Sequence, residues 1–485
     1  MGMRPKANTY ASVVSRESVR IAFLYAALND LDVLSCDITN AYLNAPCTEK
    51  LWYEAGKEFG SDAGSVMILK KAVYGLRSAG NSSWATLSQS LIDIGYKPTM
   101  ADPNVYQRRA IREGGEPYYE WLLCYVDDLL VVSAKPQETM DAISKTYNLR
   151  DSVKPPERYL GANTSKWQLP DGCEVWSMSG KDYLKNAINV AKEMASIDGL
   201  TFSSGKKAER PMGKDYRPEI DVSPPLEPNK AQQYQQLIGM LRWAVELGRV
   251  DILFEVSLLS SHLALPREGH LDAAYGVFGY LAKHLESNLV FDDKQVDTDW
   301  INSVYGHVEE ERPPRMPEPL GKAVKMTCFV DASHAGDLVT RRSHTGFIIY
   351  LNNAPIDWYS KRQNTVETST FGSELVAMKT GIEKVKALRI KLQLLGIPIE
   401  GPSLILGDNE SVIKSTSRVE ARLDKKHQSI CWHAIREAAA AGWVKIGKEP
   451  TKTNTADLFT KCLEIPKRRQ LLSNIFPKIL RGGTK

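Results

Sequence analysis

The 485-residue chain lacks several features that would assign it to a class at once. It contains no run of about 18 apolar residues, which argues against a membrane-spanning helix. Residues 1–9 are basic and polar without an apolar core, so a secretory signal is not indicated. The seven cysteines include no C-x-x-C pair, so neither a disulfide framework nor a zinc ribbon is expected. We therefore predict an intracellular protein without a membrane segment, in the cytoplasm with the nucleus as an alternative compartment.

The composition excludes further classes of protein, and the distribution of charge indicates a polyanionic partner. With 43% hydrophobic and 25% charged residues and a mean hydropathy of −0.31, the chain is unlike disordered, collagenous or coiled-coil proteins, and its length predicts about three domains. The net charge of +4 is unevenly distributed: residues 323–485 hold 26 basic and 15 acidic residues, against 36 and 43 in the remainder. A basic C-terminal third behind a mildly acidic body is typical of a protein that contacts a polyanion.

Hydrophobic patterning predicts strands and helices in the first half of the chain. An apolar strand over about residues 33–38 carries Asp37 near its end. Residues 118–133 form two apolar runs separated by Asp127 and Asp128, which is typical of a β-hairpin. Apolar residues at three-to-four spacing predict a helix that follows Ser15 and further helices over residues 82–94, 231–265 and 271–285.

The chain changes character at an acidic, proline-rich segment. Residues 286–320 contain four aspartates, a run of three glutamates and four prolines, and we interpret them as the main linker. Beyond this segment the predicted order is strand, strand, strand, helix, strand, helix, which is typical of a mixed α/β domain of modest size. The predicted strands are residues 326–330, 346–351, 355–359, 404–406 and 443–446, and the predicted long helices are residues 370–395 and 425–441.

Asp37, Asp127 and Asp128 form a first acid group. Adjacent carboxylates at the tip of an apolar hairpin repel each other, and a divalent cation relieves that repulsion. Mg²⁺ prefers carboxylate and water oxygens and shares them with substrate phosphates, and Asp37 on a second strand would complete the set of ligands. Two such metals activate an attacking hydroxyl and stabilise the leaving oxygen in a phosphoryl displacement. From the residues alone, a solvated turn is the alternative.

Four more acids form a second acid group within the basic third. Each lies at the edge of a predicted element: two end strands, one lies in the first turns of a helix and one starts a late helix. These acids are Asp331, Asp408, Glu374 and Asp457. The pattern suits a two-metal site, although a single such acid is more often a cap or a surface residue. Nearby Lys and Arg residues would hold a polyanion while the metals cut it.

Several residues near the first acid group keep two interpretations. Tyr42, five residues after Asp37, is either a core tyrosine or a ring that lies under an incoming sugar and clashes with a 2′-hydroxyl. Lys70, Lys71 and Arg77 are either a template-facing basic patch or a solvated face.

In the basic third, Arg341 and Arg342 are either exposed side chains or phosphate contacts. His427, Cys431 and His433 offer metal-ligating atoms without an evident fourth ligand, and we interpret them as one face of a packed helix.

Motifs along the whole chain match one family in order. The N-terminal motifs are S-C-D-I-T-N-A-Y-L-N (35–44), L-K-K-A-V-Y-G-L-R-S-A (69–79), A-D-P-N-V-Y (101–106) and Y-V-D-D (125–128). The C-terminal motifs are D-A-S-H-A-G-D (331–337), E-T-S-T-F-G-S-E (367–374), G-D-N-E-S (407–411) and T-A-D-L-F-T-K (455–461). Together they resemble the reverse transcriptase and ribonuclease H region of copia-type LTR retrotransposon polyproteins.

This resemblance implies an RNA-directed DNA polymerase with an appended ribonuclease H. It implies an α/β (α+β) fold with a polymerase palm and partial fingers, a helical thumb and connection region, and a C-terminal RNase H-like mixed-sheet domain. Residues 1–150 would be the palm with partial fingers, residues 151–285 the thumb and connection region, residues 286–322 the linker, and residues 323–485 the RNase H-like domain.

The resemblance also implies a role for each candidate residue. The catalytic acids that would hold Mg²⁺ or Mn²⁺ are Asp37, Asp127, Asp128, Asp331, Glu374, Asp408 and Asp457. The residues that would contact the substrate are Tyr42, Tyr125, Lys70, Lys71 and Arg77, with Tyr42 as the sugar-discriminating ring. The implied partners are an RNA template, an RNA/DNA hybrid, deoxynucleoside triphosphates and the rest of a retrotransposon polyprotein.

Members of this family carry a longer basic region before the stretch that matches Y-A-S-V-V-S-R (10–16), and this chain begins almost at that point. We therefore expect an N-terminally truncated form without most of the fingers, in which nuclease activity survives better than polymerase activity. The competing hypothesis is a catalytically defective retrotransposon remnant or a domesticated nucleic-acid-binding protein. Intact acids at all seven positions favour the enzyme.

Overall fold

The computed structural model describes residues 9–197, 199, 202, 208–295, 310–423 and 426–477. Two compact units make up the chain. The first unit contains the described residues up to Pro156, together with Pro317–Lys322 and Leu394–Ile397, and the second contains the other described residues. Part of the predicted linker, residues 296–309, lies outside the described residues. Within the described ranges, no helix has the length and apolar character needed to cross a membrane.

An antiparallel sheet of six strands forms the centre of the first unit, with the order β4-β5-β6-β7-β1-β8. Its strands are β1 (Asp32–Ile38), β4 (Lys97–Pro98), β5 (Val105–Ile111), β6 (Pro117–Tyr125), β7 (Asp128–Ser133) and β8 (Leu149–Lys154), and a separate hairpin consists of β2 (Trp52–Glu54) and β3 (Val66–Ile68). The helices are α1 (Arg16–Leu28), α2 (Ala79–Asp93) and α3 (Pro136–Ser144).

Local sequence signals explain these elements. Ser15 caps α1, as predicted, because its Oγ accepts a hydrogen bond from the backbone N–H of Ser18 at 3.2 Å. The central strand β7 is buried from Leu129 to Ser133, so both of its faces are covered. Leu129 and Val131 pack with Leu122 in one core cluster. The predicted hairpin of residues 118–133 is confirmed, since Trp121–Tyr125 of β6 pair with Asp128–Val132 of β7.

The second unit begins with a four-stranded sheet and a helical core. The sheet has the order β12-β11-β10-β9 and consists of β9 (Arg158–Tyr159), β10 (Ala162–Gln168), β11 (Glu174–Ser179) and β12 (Leu289–Val290). The helices are α4 (Lys181–Ile197), α5 (Pro228–Glu246), α6 (Leu253–Ser260) and α7 (Glu268–Lys283). The prediction of one helix over residues 231–265 is wrong, because Gly248 adopts a φ of 107° and interrupts the helical path between α5 and α6.

A five-stranded mixed sheet with the order β15-β14-β13-β16-β17 completes the second unit. Its strands are β13 (Met326–Ser333), β14 (His344–Leu351), β15 (Ala354–Arg362), β16 (Ser403–Gly407) and β17 (Val444–Lys448), and its helices are α8 (Thr370–Leu394), α9 (Glu410–Ser417), α10 (Ser429–Ala440) and α11 (Ile465–Ser473). β13, β14 and β15 are antiparallel neighbours, whereas β13, β16 and β17 run parallel. The predicted mixed α/β fold class is therefore confirmed.

Close packing of α8 on β13 determines where the second acid group lies. A Cβ atom added to Gly381 would lie 2.7 Å from Val330 Cγ1, so the helix approaches the strand as closely as a glycine allows. Residues two apart on a strand share a face, so Val330 and Cys328 both face α8, and Asp331 follows Val330 near the carboxyl end of the strand.

Candidate active sites

A two-residue turn presents the acids of the β6–β7 hairpin. Tyr125 and Asp128 form the last cross-strand pair, which leaves Val126 and Asp127 as the turn. Val126 has a φ of 60°, in the left-handed region that β-branched residues rarely adopt. Backbone strain of this kind concentrates at functional loops, where the surrounding structure maintains it.

Strand register brings the first acid group together. β1 and β7 pair with Asp37 directly opposite Asp128, and directly opposed residues have Cβ atoms about 5 Å apart on one face. The carbonyl of Asp127 accepts a hydrogen bond from the N–H of Ile38 at 2.9 Å, which fastens the hairpin tip to β1. All three acids are half-buried. On the other side of β1, β8 places Arg150 opposite Asp37, a neighbouring cation that the sequence analysis did not identify.

Tyr42 lies beside this group. Burial, together with the negative charge of Asp127 and the nearby Tyr74 hydroxyl, raises the pKa of Tyr42. The rings of Tyr42 and Tyr74 are tilted against each other with centroids 4.7 Å apart. Because Tyr42 is half-buried rather than enclosed, its ring keeps an accessible surface near the acids.

The other predicted substrate contacts differ in exposure. Tyr125 is half-buried at the end of β6, whereas Lys70, Lys71 and Arg77 are exposed. Exposed basic side chains suit a template-facing patch and a solvated face equally well, so their role stays a prediction.

Three members of the second acid group converge more closely. A carboxylate oxygen of each of Asp331, Glu374 and Asp408 lies within 4.8 Å of the other two, and no other trio of His, Cys, Asp or Glu in the described residues meets this distance. Asp331 comes from β13, Glu374 from the start of α8, and Asp408 directly follows β16. Because β13 and β16 are parallel neighbours, their carboxyl ends meet at one edge of the sheet.

Burial and mutual repulsion disfavour ionisation of two members of this trio, Asp331 and Glu374. Asp331 is fully buried, while Glu374 and Asp408 are half-buried. Burial is the main cause that raises the pKa of Asp331 to about 6, and the charges of Asp457 and Asp408 add to the effect. Burial and the charge of Asp331 raise the pKa of Glu374 as well. A divalent cation would favour the ionised carboxylates, and oxygen ligands at this spacing suit Mg²⁺ or Mn²⁺.

Asp457 lies next to the trio but not within it. It is fully buried in the first turn of a 3₁₀ helix, Thr455–Phe459, so the prediction that it starts a late helix is confirmed, with a short 3₁₀ helix in place of an α-helix. The side chain of Asn454 accepts a hydrogen bond from the N–H of Ala456 at 3.1 Å and closes this short turn, and α11 begins only later, with Pro466 in its first turn.

Three residues that the sequence analysis missed hold these acids. Lys461 Nζ lies 2.6 Å from Asp457 Oδ1 and 3.3 Å from Asp331 Oδ2, and Lys467 also pairs with Asp457. The hydroxyl of Thr460 donates a hydrogen bond to Asp331. Only Lys461 left a sequence signal, because it stands four residues after Asp457.

Residues 4–197 match the family model described as "Reverse transcriptase (RNA-dependent DNA polymerase)". This part of the chain is a reverse transcriptase domain. The match includes every member of the first acid group, so the three acids lie within the domain.

Retrotransposon polyproteins match this chain over nearly its whole length. A retrovirus-related Pol polyprotein from transposon RE2 of Arabidopsis thaliana is 23% identical over 94% of this chain and 28% of its own length. A retrovirus-related Pol polyprotein from transposon TNT 1-94 of Nicotiana tabacum is 25% identical over 93% of this chain and 31% of its own length. The predicted resemblance to copia-type retrotransposon polyproteins is therefore confirmed, and the chain spans less than a third of these relatives.

Among solved structures, one that is similar to part of this chain is the crystal structure of LC11-RNase H1 in complex with an RNA/DNA hybrid. The identity is 14% and the TM-score 0.24, and the match covers 28% of this chain and 94% of that one.

Proposed function

We propose that the chain is a Mg²⁺- or Mn²⁺-dependent enzyme that copies RNA into DNA in the first unit and cuts the RNA strand of an RNA/DNA hybrid in the second. The convergence of Asp331, Glu374 and Asp408 carries the proposal, because three carboxylates this close to one another are unfavourable without a cation. The reverse transcriptase domain, with Asp37 opposite Asp128, supports the polymerase half.

Each acid group would hold metal ions, which, when bound, supply an activated hydroxyl or water and charge stabilisation for the leaving oxygen. The first acid group would bind the metals of polymerisation, and the second group those of hybrid cleavage. Thr460 orients Asp331 through its hydroxyl, and Lys461 forms an ion pair with Asp457 beside the trio. The ring of Tyr42 would lie against the sugar of the incoming nucleotide and disfavour a 2′-hydroxyl.

The partners and the location follow from this assignment. The proposed substrates are an RNA template, an RNA/DNA hybrid and deoxynucleoside triphosphates, and the proposed protein context is a longer retrotransposon polyprotein. The proposed compartment is the cytoplasm, with the nucleus as the alternative. The division into residues 1–150, 151–285, 286–322 and 323–485 is proposed as the functional division into palm, thumb and connection, linker and nuclease.

Two assays on the purified chain test the proposal. A hybrid with labelled RNA should be cut in Mg²⁺, protected by EDTA and cut again when excess Mg²⁺ is restored, while single-stranded RNA and duplex DNA stay intact. A primer on an RNA template should be extended under the same conditions, more slowly than the hybrid is cut. If neither reaction occurs, the chain is a catalytically defective remnant or a nucleic-acid-binding protein.

A further inference from the structure

A cavity of about 360 Å³ adjoins the second acid group within the second unit. Thr460 and Lys461 line it, and both also contact Asp331. Ser333, the last residue of β13, lines it as well. The cavity is therefore next to the trio.

The opposite wall of the cavity comes from a part of the chain that precedes the mixed sheet. Residues 214–219 and α6 supply this wall. Two hydrogen bonds fasten it to the mixed-sheet domain: the N–H of Leu338 donates to Glu219 Oε1 at 3.2 Å, and Ser257 Oγ donates to the carbonyl of Ser360 at 2.8 Å. The cavity is thus held from both sides.

Half of the charged side chains of the lining are already in ion pairs. Lys214 pairs with Glu464, and Arg362 pairs with Asp337. Lys461 is engaged by the acids of the second group.

Two guanidinium groups remain. Arg217 is exposed, Arg342 is half-buried, and neither forms an ion pair within the part of the chain that the structure describes. Two acids of the lining, Asp215 and Glu219, also lack such a pair, and Glu219 Oε1 already accepts the N–H of Leu338. The whole lining holds five basic and three acidic side chains, so its summed charge is positive.

We propose that this cavity binds a backbone phosphate of the nucleic acid that the second acid group cuts, with Arg217 and Arg342 as its ligands. The inference rests on the proposed nuclease function. Guanidinium groups present paired donors that match phosphate oxygens, and a phosphate beside the scissile one is the anion that a bound strand brings to this position. Residues 214–219 thereby contribute a substrate contact to a site whose acids all come from the mixed-sheet domain.

Binding of an uncleavable hybrid tests this contact separately from catalysis. The probe is a 2′-O-methyl-RNA/DNA hybrid, and the affinity is measured by fluorescence anisotropy in Ca²⁺ at several salt concentrations. Arg217→Ala and Arg342→Ala should each weaken binding about tenfold and reduce the salt slope by about one. Arg341→Ala is the matched control, because its exposed side chain lies next to Arg342 but outside the cavity lining, and it should change the affinity less than about twofold.

A scan of neutral phosphates locates the contact without relying on the variants. Single methylphosphonates along both strands should weaken wild-type binding about tenfold at one position near the cut, and Arg342→Ala should be insensitive to that same substitution. The proposal would be overturned if no methylphosphonate position weakened binding, or if both Arg→Ala variants bound the hybrid with wild-type affinity. Displacement of the hybrid by inorganic phosphate together with a flat scan would identify a free anion as the occupant. If the chain does not cut the hybrid but one methylphosphonate position still weakens binding in an Arg342-dependent way, the proposed nuclease function is wrong and the phosphate contact is supported.

Discussion

The two acid groups of this chain use the same kind of residue in different surroundings. The first group is half-buried and is assembled by strand register, with Asp37 opposite Asp128 at the end of a hairpin. The second is assembled from four segments of the chain and includes two fully buried acids, Asp331 and Asp457. Pairing of two strands is enough to bring carboxylates together at an accessible edge, whereas deeper burial requires protons, lysines or metal ions to balance the charge.

The two acid groups also differ in the cations that lie beside them. In the second group, Lys461 and Lys467 contact Asp457 directly, and Lys461 also reaches Asp331. In the first group, the cation that the sheet provides is Arg150, across the strand from Asp37. We therefore expect the loss of one carboxylate to lower metal affinity more at the second group than at the first.

The first prediction concerns metal affinity at the second group. Glu374→Gln removes one of the three converging carboxylates and should weaken Mn²⁺ binding about 100-fold or more, since loss of partners that only support a ligand already costs 10–100-fold. Calorimetric titration with Mn²⁺ measures this change. Glu383→Gln, an exposed glutamate on the same helix that pairs with Lys379, is the control and should bind as wild type. If both variants bind Mn²⁺ with equal affinity, the three converging carboxylates are not the metal site.

The second prediction compares buried charge in the two units. Arg468 is buried beside Glu255 at 3.3 Å, and Arg468→Met leaves that glutamate unpaired, so the second unit should lose about 3–5 kcal/mol of unfolding free energy. In the first unit, Arg108 bonds Glu120 at 2.6 Å but its side chain is 32% exposed, so Arg108→Met should cost less, about 1–3 kcal/mol. Urea unfolding monitored in each unit measures both, and equal losses would contradict the comparison.

The third prediction concerns stability without metal. Because the pKa of Asp331 is raised from 3.8 to about 6, its contribution to stability is present below about pH 4 and lost as the pH rises through 6. The metal-free protein should therefore be less stable at pH 7.5 than at pH 5. Asp331→Asn should remove this contribution to the pH dependence and stabilise the metal-free protein by about 1–3 kcal/mol at pH 7.5.

Thermal unfolding at the two pH values gives the result. Asp357→Asn, at a half-buried acid on β15 that pairs with Lys384 at 3.1 Å, is the control and should keep the wild-type pH slope. A lower stability of Asp331→Asn than of wild type at pH 7.5 would contradict the electrostatic description of the second group.

The smallest expected effect tests the ring beside the first group. Tyr42→Ala should reduce discrimination between deoxynucleotides and ribonucleotides about tenfold, because the ring that would exclude the 2′-hydroxyl is gone. Tyr42→Phe keeps the ring and should preserve discrimination. Single-nucleotide incorporation with each triphosphate gives the ratio, and an unchanged ratio in Tyr42→Ala would favour the interpretation of a core tyrosine.

Periodicity and turn chemistry predicted the sheet elements of both sites well. The strand carrying Asp37 and the hairpin carrying Asp127 and Asp128 lie where alternating apolar runs placed them, and the long helix of Glu374 begins at the predicted Thr370. These features follow from local sequence, since apolar residues and acids at strand ends are visible one element at a time.

Features that depend on tertiary packing were not predictable. The sheet that contains β10 and β11 was missed in a region that appeared mainly helical, and the break near Gly248 became visible only with its φ. The contact of Thr460 with Asp331 joins residues 129 positions apart, and no local pattern signals it. The cavity beside the trio likewise combines segments more than a hundred residues apart.

The central claim is that one chain carries two separate acid sites with different chemistry. The most direct test measures primer extension and hybrid cleavage in parallel for wild type, Asp127→Asn and Asp331→Asn. Loss of a metal ligand costs several kcal/mol of transition-state stabilisation, or about 10³-fold in rate. Asp127→Asn should lose extension by that factor and keep cleavage, and Asp331→Asn should do the reverse. A substitution that abolishes both reactions, or neither, would contradict the claim.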